Sequence, residues 1–136
     1  MIAPDSSVVI AALGEWHPAH RVSRAAIAGE ERRLVGHVAF EAASVLSRMP
    51  EPYRMMPMVV MDALDRMSAS PWLALDAASQ CSCLRRAIAE GLSGGAVYDA
   101  LIAATAREHG ARLLSADRRA WKAYEAMGVD VSYLES

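Results

Sequence analysis

Four carboxylates in this 136-residue chain stand where a carboxylate needs a reason. Asp99 falls in "AVYDALIAATA", a segment apolar on nearly every side. On a 100° helical wheel Asp99 shares a face with Ile102, Ala103 and Ala106, while Val97, Leu101 and Ala104 cover the opposite side. Such a helix is buried, and an isolated buried carboxylate is costly, so Asp99 needs a partner. Glu41 lies in "HVAFEAASVLSR", at the edge of the stripe made by Val38, Ala42, Val45 and Leu46. Asp5 and Asp117 each follow a short apolar run and precede a helical pattern. Each acid also has an ordinary reading. Asp5, Asp99 and Asp117 suit helix caps or first turns, and Glu41 suits a boundary from which it reaches water. Brought to one point, however, four acids repel and cannot all stay ionised without a cation. Oxygen-only ligation favours Mg2+ or Mn2+, and that combination is the equipment of metal-assisted phosphodiester chemistry.

The elements that would position these acids alternate. Strands are expected at Ile2–Ala3, Leu34–Gly36, Trp72–Leu75, Arg112–Leu114 and Val129–Tyr133. Helices are expected from Ser7 to Leu13 with Ser6 as N-cap, and over Pro18–Ala28, Val38–Arg48, Met58–Met67, Ala77–Glu90, Ala96–His109 and Arg118–Met127. Prolines 50 and 52 and glycines 110 and 128 mark helix ends. Alternation of this kind predicts crossover connections and a mostly parallel sheet covered on both faces. Sites in such folds form beyond the carboxyl ends of the strands. Asp5 and Asp117 would then share one edge of the sheet, with Glu41 and Asp99 near the starts of helices packed on it.

Composition narrows the rest. The length predicts one domain spanning residues 1–136, and 54% hydrophobic residues allow a real core. No apolar run approaches a membrane span, and "MIAPDSSVV" lacks the basic start of a signal peptide, so a cytoplasmic protein is expected. A net charge of −2 gives no global basic field. Arg118, Arg119 and Lys122, directly after Asp117, are the local candidates for an RNA-backbone contact, or else a solvated face. Cys81 and Cys83, two apart on a helix, cannot easily pair and read as small apolar residues. His17 and His20 have a metal-compatible spacing but no third ligand nearby. The methionines between 49 and 67 suit an irregular core or an adaptable partner surface.

The segments "MIAPDSSVVIAAL", "HVAFEAASVLSR", "GGAVYDALIAATA" and "LLSADRRA", in this order and spacing, resemble the four signature blocks of PIN-domain ribonucleases, most of all the VapC-type toxins of bacterial toxin–antitoxin pairs. The resemblance implies a three-layer α/β/α domain and a Mg2+- or Mn2+-dependent endoribonuclease. It also implies a homodimer and a cognate antitoxin that holds the enzyme inactive. By position Asp5, Glu41, Asp99 and Asp117 match the family's acidic quartet. Ser6 matches the hydroxyl residue after the first acid, and Ser115 the hydroxyl residue two before the last. Asp5 and Asp99 are expected to bind the ion most directly, Glu41 through water or as the group that orients the attacking water, and Asp117 at the margin or on a second ion. Ser6 and Ser115 would orient carboxylates or a phosphate oxygen, or act as plain caps. Pro4 departs from the pattern by removing a ladder donor from the first strand.

Two other functions remain open on the residues. A PIN-like binding module without activity would not need all four acids. A phosphatase working through an aspartyl-phosphate would need a second Asp two residues after Asp5, where this chain has Ser7.

Overall fold

Short apolar strands bring the site together. The computed structural model describes residues 1–68 and 71–135. Strand β1 is Ile2–Pro4, β2 is Arg112–Ser115 and β3 is Val131–Tyr133. All pair in parallel, in the order β1-β2-β3, with Ile2 opposite Arg112 and Leu113 opposite Val131. The helices are α1 (Ser6–Leu13), α2 (His20–Ala28), α3 (Gly36–Ser47), α4 (Pro57–Met67), α5 (Ala77–Ala89), α6 (Gly95–Glu108) and α7 (Trp121–Met127). Helix α1 packs on α2 and α3, with α4 on α3; α6 packs on α5 and α7. Both α1 and α6 contact β2, so the two helix groups enclose the sheet in an α/β/α arrangement.

Residues 34–36 and 72–75 form no full strands. Single parallel bridges instead join Ile2 to Arg32 and Val35 to Leu73. Pro4 accounts for the first of these. The Ile2 N–H donates to Glu31 O at 2.9 Å, and Ile2 O accepts from Arg33 N at 3.1 Å. The next bond of that parallel ladder would come from the N–H of residue 4, which proline lacks. On its other side Pro4 pairs with Leu114 undisturbed. The expected strand at Leu34–Gly36 also runs short because α3 begins at Gly36, whose N–H donates to Leu73 O.

The core gathers fully buried Ile2, Leu34, Leu46, Leu64, Leu73, Ile102 and Leu113 into one cluster. Two helix starts differ from expectation. Asp5, not Ser6, caps α1: its side chain accepts from the Val8 N–H. The helix expected over Arg118–Met127 is split. A 3-10 turn covers Arg118–Ala120, because the Asp117 side chain caps it at Arg119 N, and α7 starts at Trp121. Gly128, at φ 72°, stops α7 in the left-handed region that glycine enters freely.

Candidate active site

Parallel pairing delivers Asp5 and Asp117 to the same edge of the sheet, beyond the carboxyl ends of β1 and β2. The Asp5 N–H donates to Leu114 O at 2.9 Å, and the Ala116 N–H to Ser7 Oγ at 2.9 Å, so the two strand ends are tied directly. Asp5 is 2% exposed. Its Oδ1 accepts from Ser7 Oγ at 2.5 Å and from Val8 N at 3.2 Å, and its Oδ2 accepts from Tyr124 Oη at 2.7 Å. A buried carboxylate is thus held in one orientation by donors from α1 and α7. Burial and the adjoining Asp5 charge push the Tyr124 phenol far above its ordinary range, so it stays a donor. Tyr124→Phe is expected to lower stability by about 1.5–3 kcal/mol, the usual worth of a hydrogen bond to a charged group. Chemical denaturation of the two proteins at neutral pH measures it.

Asp99 is half-buried on the first turns of α6. Its carboxyl is pushed up to about 6, chiefly by burial and then by the charges of Glu41, Asp5 and Asp117. Acids from four separate parts of the sequence therefore feel one another at Asp99. Glu41, on α3, is also raised, mainly by burial. His37 one turn earlier and a hydrogen bond from Ser6 pull it down, and Asp5 pushes it up again. His37 Nε2 lies 3.8 Å from Glu41 Oε2, whereas Glu41 Oε1 is buried with no hydrogen-bond partner.

Asp117 carries its own counter-charge. Its Oδ1 accepts from the Arg119 N–H and from Arg119 Nε, both at 3.0 Å. Ser115, fully buried, does not touch a carboxylate; its Oγ accepts from the Asp117 backbone N–H at 3.0 Å and so sets the turn. Arg118 stacks over the Tyr133 ring, 4.9 Å from its centroid. Lys122 is exposed on α7 and lines a cavity with Trp121 and Glu90. The three basic residues thus serve different places and form no single stripe.

The histidine pair is spent on the backbone. His17 Nδ1 accepts from the Ala19 N–H at 3.0 Å, and His20 Nδ1 lies 2.8 Å from Ala11 O. Cys81 and Cys83 are free thiols. Three residues of the site were not singled out from the sequence: Ser7, one position beyond the expected hydroxyl, His37 beside Glu41, and Tyr124. The helical spacing of Ala120, Ala123, Tyr124 and Met127 marks Tyr124 as buried, but nothing local says that its hydroxyl meets residue 5.

The donors present fit a hard divalent cation in kind, being carboxylate oxygens throughout. The unpartnered Glu41 Oε1 and the mutual repulsion at Asp99 both leave negative charge unmatched. Among the described residues no three acidic, thiol or imidazole groups are already grouped to cage an ion. The acids are coupled charges around Asp99 rather than a closed cage.

Fold and acids define a class. A PIN domain family model matches residues 2–126, and the chain belongs to that family. Within it the chain is of the VapC type. It is 40% identical over 131 residues to Ribonuclease VapC40 of Mycobacterium tuberculosis, covering 96% of this chain and 97% of that protein. It is also 40% identical over 131 residues to Ribonuclease VapC27 of the same organism, covering 96% and 94%. The crystal structure of FitAcB from Neisseria gonorrhoeae shares the fold at a TM-score of 0.71, with 20% identity over 96% of each chain.

Proposed function

We propose that the chain is a divalent-metal-dependent endoribonuclease, the toxin of a toxin–antitoxin pair, acting in the cytoplasm as one domain spanning residues 1–136. The observation that supports this reading is that the charges of Glu41, Asp5 and Asp117 all bear on the half-buried Asp99, with Glu41 Oε1 buried and unpartnered. The relatives named as ribonucleases support the reaction class. Among the described residues no helix is long and apolar enough to cross a membrane.

Asp5 and Asp99 would hold Mg2+ or Mn2+, with Glu41 and Asp117 beside them. Such an ion supplies Lewis-acid stabilisation of a phosphodiester and makes water more acidic. The chain's own groups do the rest. Tyr124 and Ser7 keep the Asp5 carboxylate aimed, since both of its oxygens are engaged from behind. Glu41, raised by burial, is suited to take a proton from the attacking water. The water oxygen bonds to phosphorus as the bond from phosphorus to the leaving sugar oxygen breaks. Arg119, bound to Asp117, limits the charge of that acid and sits at the margin where an RNA backbone passes.

The chain is expected to cleave RNA in Mn2+ or Mg2+ and to stop in chelator. Incubating purified, antitoxin-free protein with total bacterial RNA tests this. Cleavage unaffected by chelator would contradict the metal reading, and no cleavage with either ion would contradict the nuclease.

The partner is a cognate antitoxin, and the toxin is expected to work as a homodimer. Met56 and Met58 are 72% and 69% exposed, with Val59 and Met61 beside them. Of the methionine group Met67 does join the core, but these others form surface. An antitoxin tail is predicted to place a basic residue among the acids and apolar residues on the methionine surface. Deleting that tail should weaken inhibition at least about a hundredfold, the loss of a few kcal/mol of contact. Undiminished inhibition by the truncated antitoxin would overturn the assignment.

A further inference from the structure

The mechanism above leaves unused an aromatic pair that borders the acids. The His37 and Tyr98 rings stack with centroids 4.9 Å apart and planes 4° from parallel. His37 stands one turn before Glu41 on α3, and Tyr98 immediately precedes Asp99 on α6. Each of two helices thus sets a ring beside one of its acids. Tyr98 remains 53% exposed despite the stack. Phe40, three residues after His37 and so on the same side of α3, is 73% exposed. The stack holds a flat π-surface in a fixed orientation at the rim of a carboxylate site.

Such a surface suits an unpaired nucleobase. Every base has a π-face, and stacking needs an oriented ring rather than a hydrogen-bond code. Bases splayed from single-stranded RNA stack on Phe, Tyr and His in this way. Resting on the nuclease reading, we propose that the His37–Tyr98 stack is a base platform. It holds a nucleobase next to the scissile phosphodiester, with Tyr98 as the ring that base meets. Tyr98 is then a positioning residue: its ring carries the contact, and its hydroxyl is dispensable.

The test begins with the sites cut in total bacterial RNA by the purified chain in Mn2+, read by sequencing the new ends. A short RNA spanning the strongest site is then cleaved by wild type, Tyr98→Phe and Tyr98→Ala, after melting curves show all three folded. The same RNA is also made with one abasic nucleotide at a time around the cut. Tyr98→Ala should raise KM about tenfold, as loss of one stacked base does, with kcat nearly unchanged, and Tyr98→Phe should restore KM. At one abasic position wild type and Tyr98→Ala should share the same KM. An unchanged KM in Tyr98→Ala, a loss confined to kcat, or no abasic position that removes the difference would overturn the platform. So would a Tyr98→Ala variant that loses only affinity for the antitoxin, since the pair would then be a protein contact. A mixed-sequence RNA dodecamer containing 2-aminopurine, bound in Ca2+, reads stacking without cleavage. Tyr98-dependent quenching by a wild type that cuts no RNA would keep the platform and refute the nuclease. Absence of both quenching and cleavage would refute both.

Discussion

Asp5→Asn, Glu41→Gln and Asp99→Asn, made singly, should each cut RNA cleavage by at least about a hundredfold and abolish growth arrest on induction. An ion at a reacting phosphodiester is worth several kcal/mol of charge stabilisation, and each 1.36 kcal/mol is about tenfold in rate. An amide keeps the shape of its acid and loses the charge. The size of the loss should differ among the sites. Asp5 is fixed on both oxygens, so its amide turns a nitrogen toward a donor as well as losing charge. Asp117→Asn should be the mildest, about tenfold, because Arg119 already offsets its charge. Initial rates at saturating Mn2+, with each variant shown folded, measure the series. Two or more of the first three retaining wild-type activity would remove the quartet from the mechanism.

Asp99→Asn should also be more stable than wild type in chelator at neutral pH. Burial of the Asp99 carboxyl, and after it the charges of Glu41, Asp5 and Asp117, disfavour its ionised form. Asp99 is only half-buried, so solvent screening leaves ~1–2 kcal/mol recoverable. The sign with pH follows from its raised carboxyl. The folded state holds the Asp99 proton up to about 6, whereas the unfolded chain releases it near the ordinary carboxylate value. Wild type therefore loses stability relative to the Asn variant as pH rises from about 4 to about 6, and the two converge below that window. Mn2+ should raise the melting temperature of wild type, since it binds the folded state, and should move the variant much less. A capping or hydrogen-bonded Asp99 predicts the reverse: a less stable amide with an undiminished Mn2+ response. Melting curves from pH 4 to 8, in chelator and in Mn2+, separate the two.

The parallel sheet and the placement of Asp5 and Asp117 past its strand ends were legible because they follow from local patterns. Apolar runs at Ile2–Ala3 and Arg112–Leu114, each followed by Asp and a helix, already put two acids on one edge. Asp99 was conspicuous for the same reason that it is perturbed, a carboxylate on an apolar helix. What the sequence hid depends on distant pairing. The single bridge at Arg32 is limited by Pro4, nearly thirty residues away, and the one between Val35 and Leu73 by the start of α3 at Gly36. Ser7 rather than Ser6 reaches Asp5 because Asp5 itself caps α1 and turns residue 7 back toward it. Tyr124 is separated from Asp5 by 119 positions, and only the fold makes them neighbours. Arg118, Arg119 and Lys122 read from the sequence as neighbours at the start of one continuous helix. The 3-10 turn that Asp117 caps changes the spacing and sends them to Tyr133, Asp117 and the α5 side.

The most direct measurement is a crystal of the antitoxin-free protein soaked in Mn2+, with an anomalous difference map collected at the manganese edge. The ion should appear within roughly 2.5 Å of carboxylate oxygens of Asp5 and Asp99, with Glu41 and Asp117 around it, and should be lost in Asp99→Asn. A map with no Mn2+ among these acids at saturating ion, or one unchanged by Asp99→Asn, would contradict the assignment of the four carboxylates as a cation site.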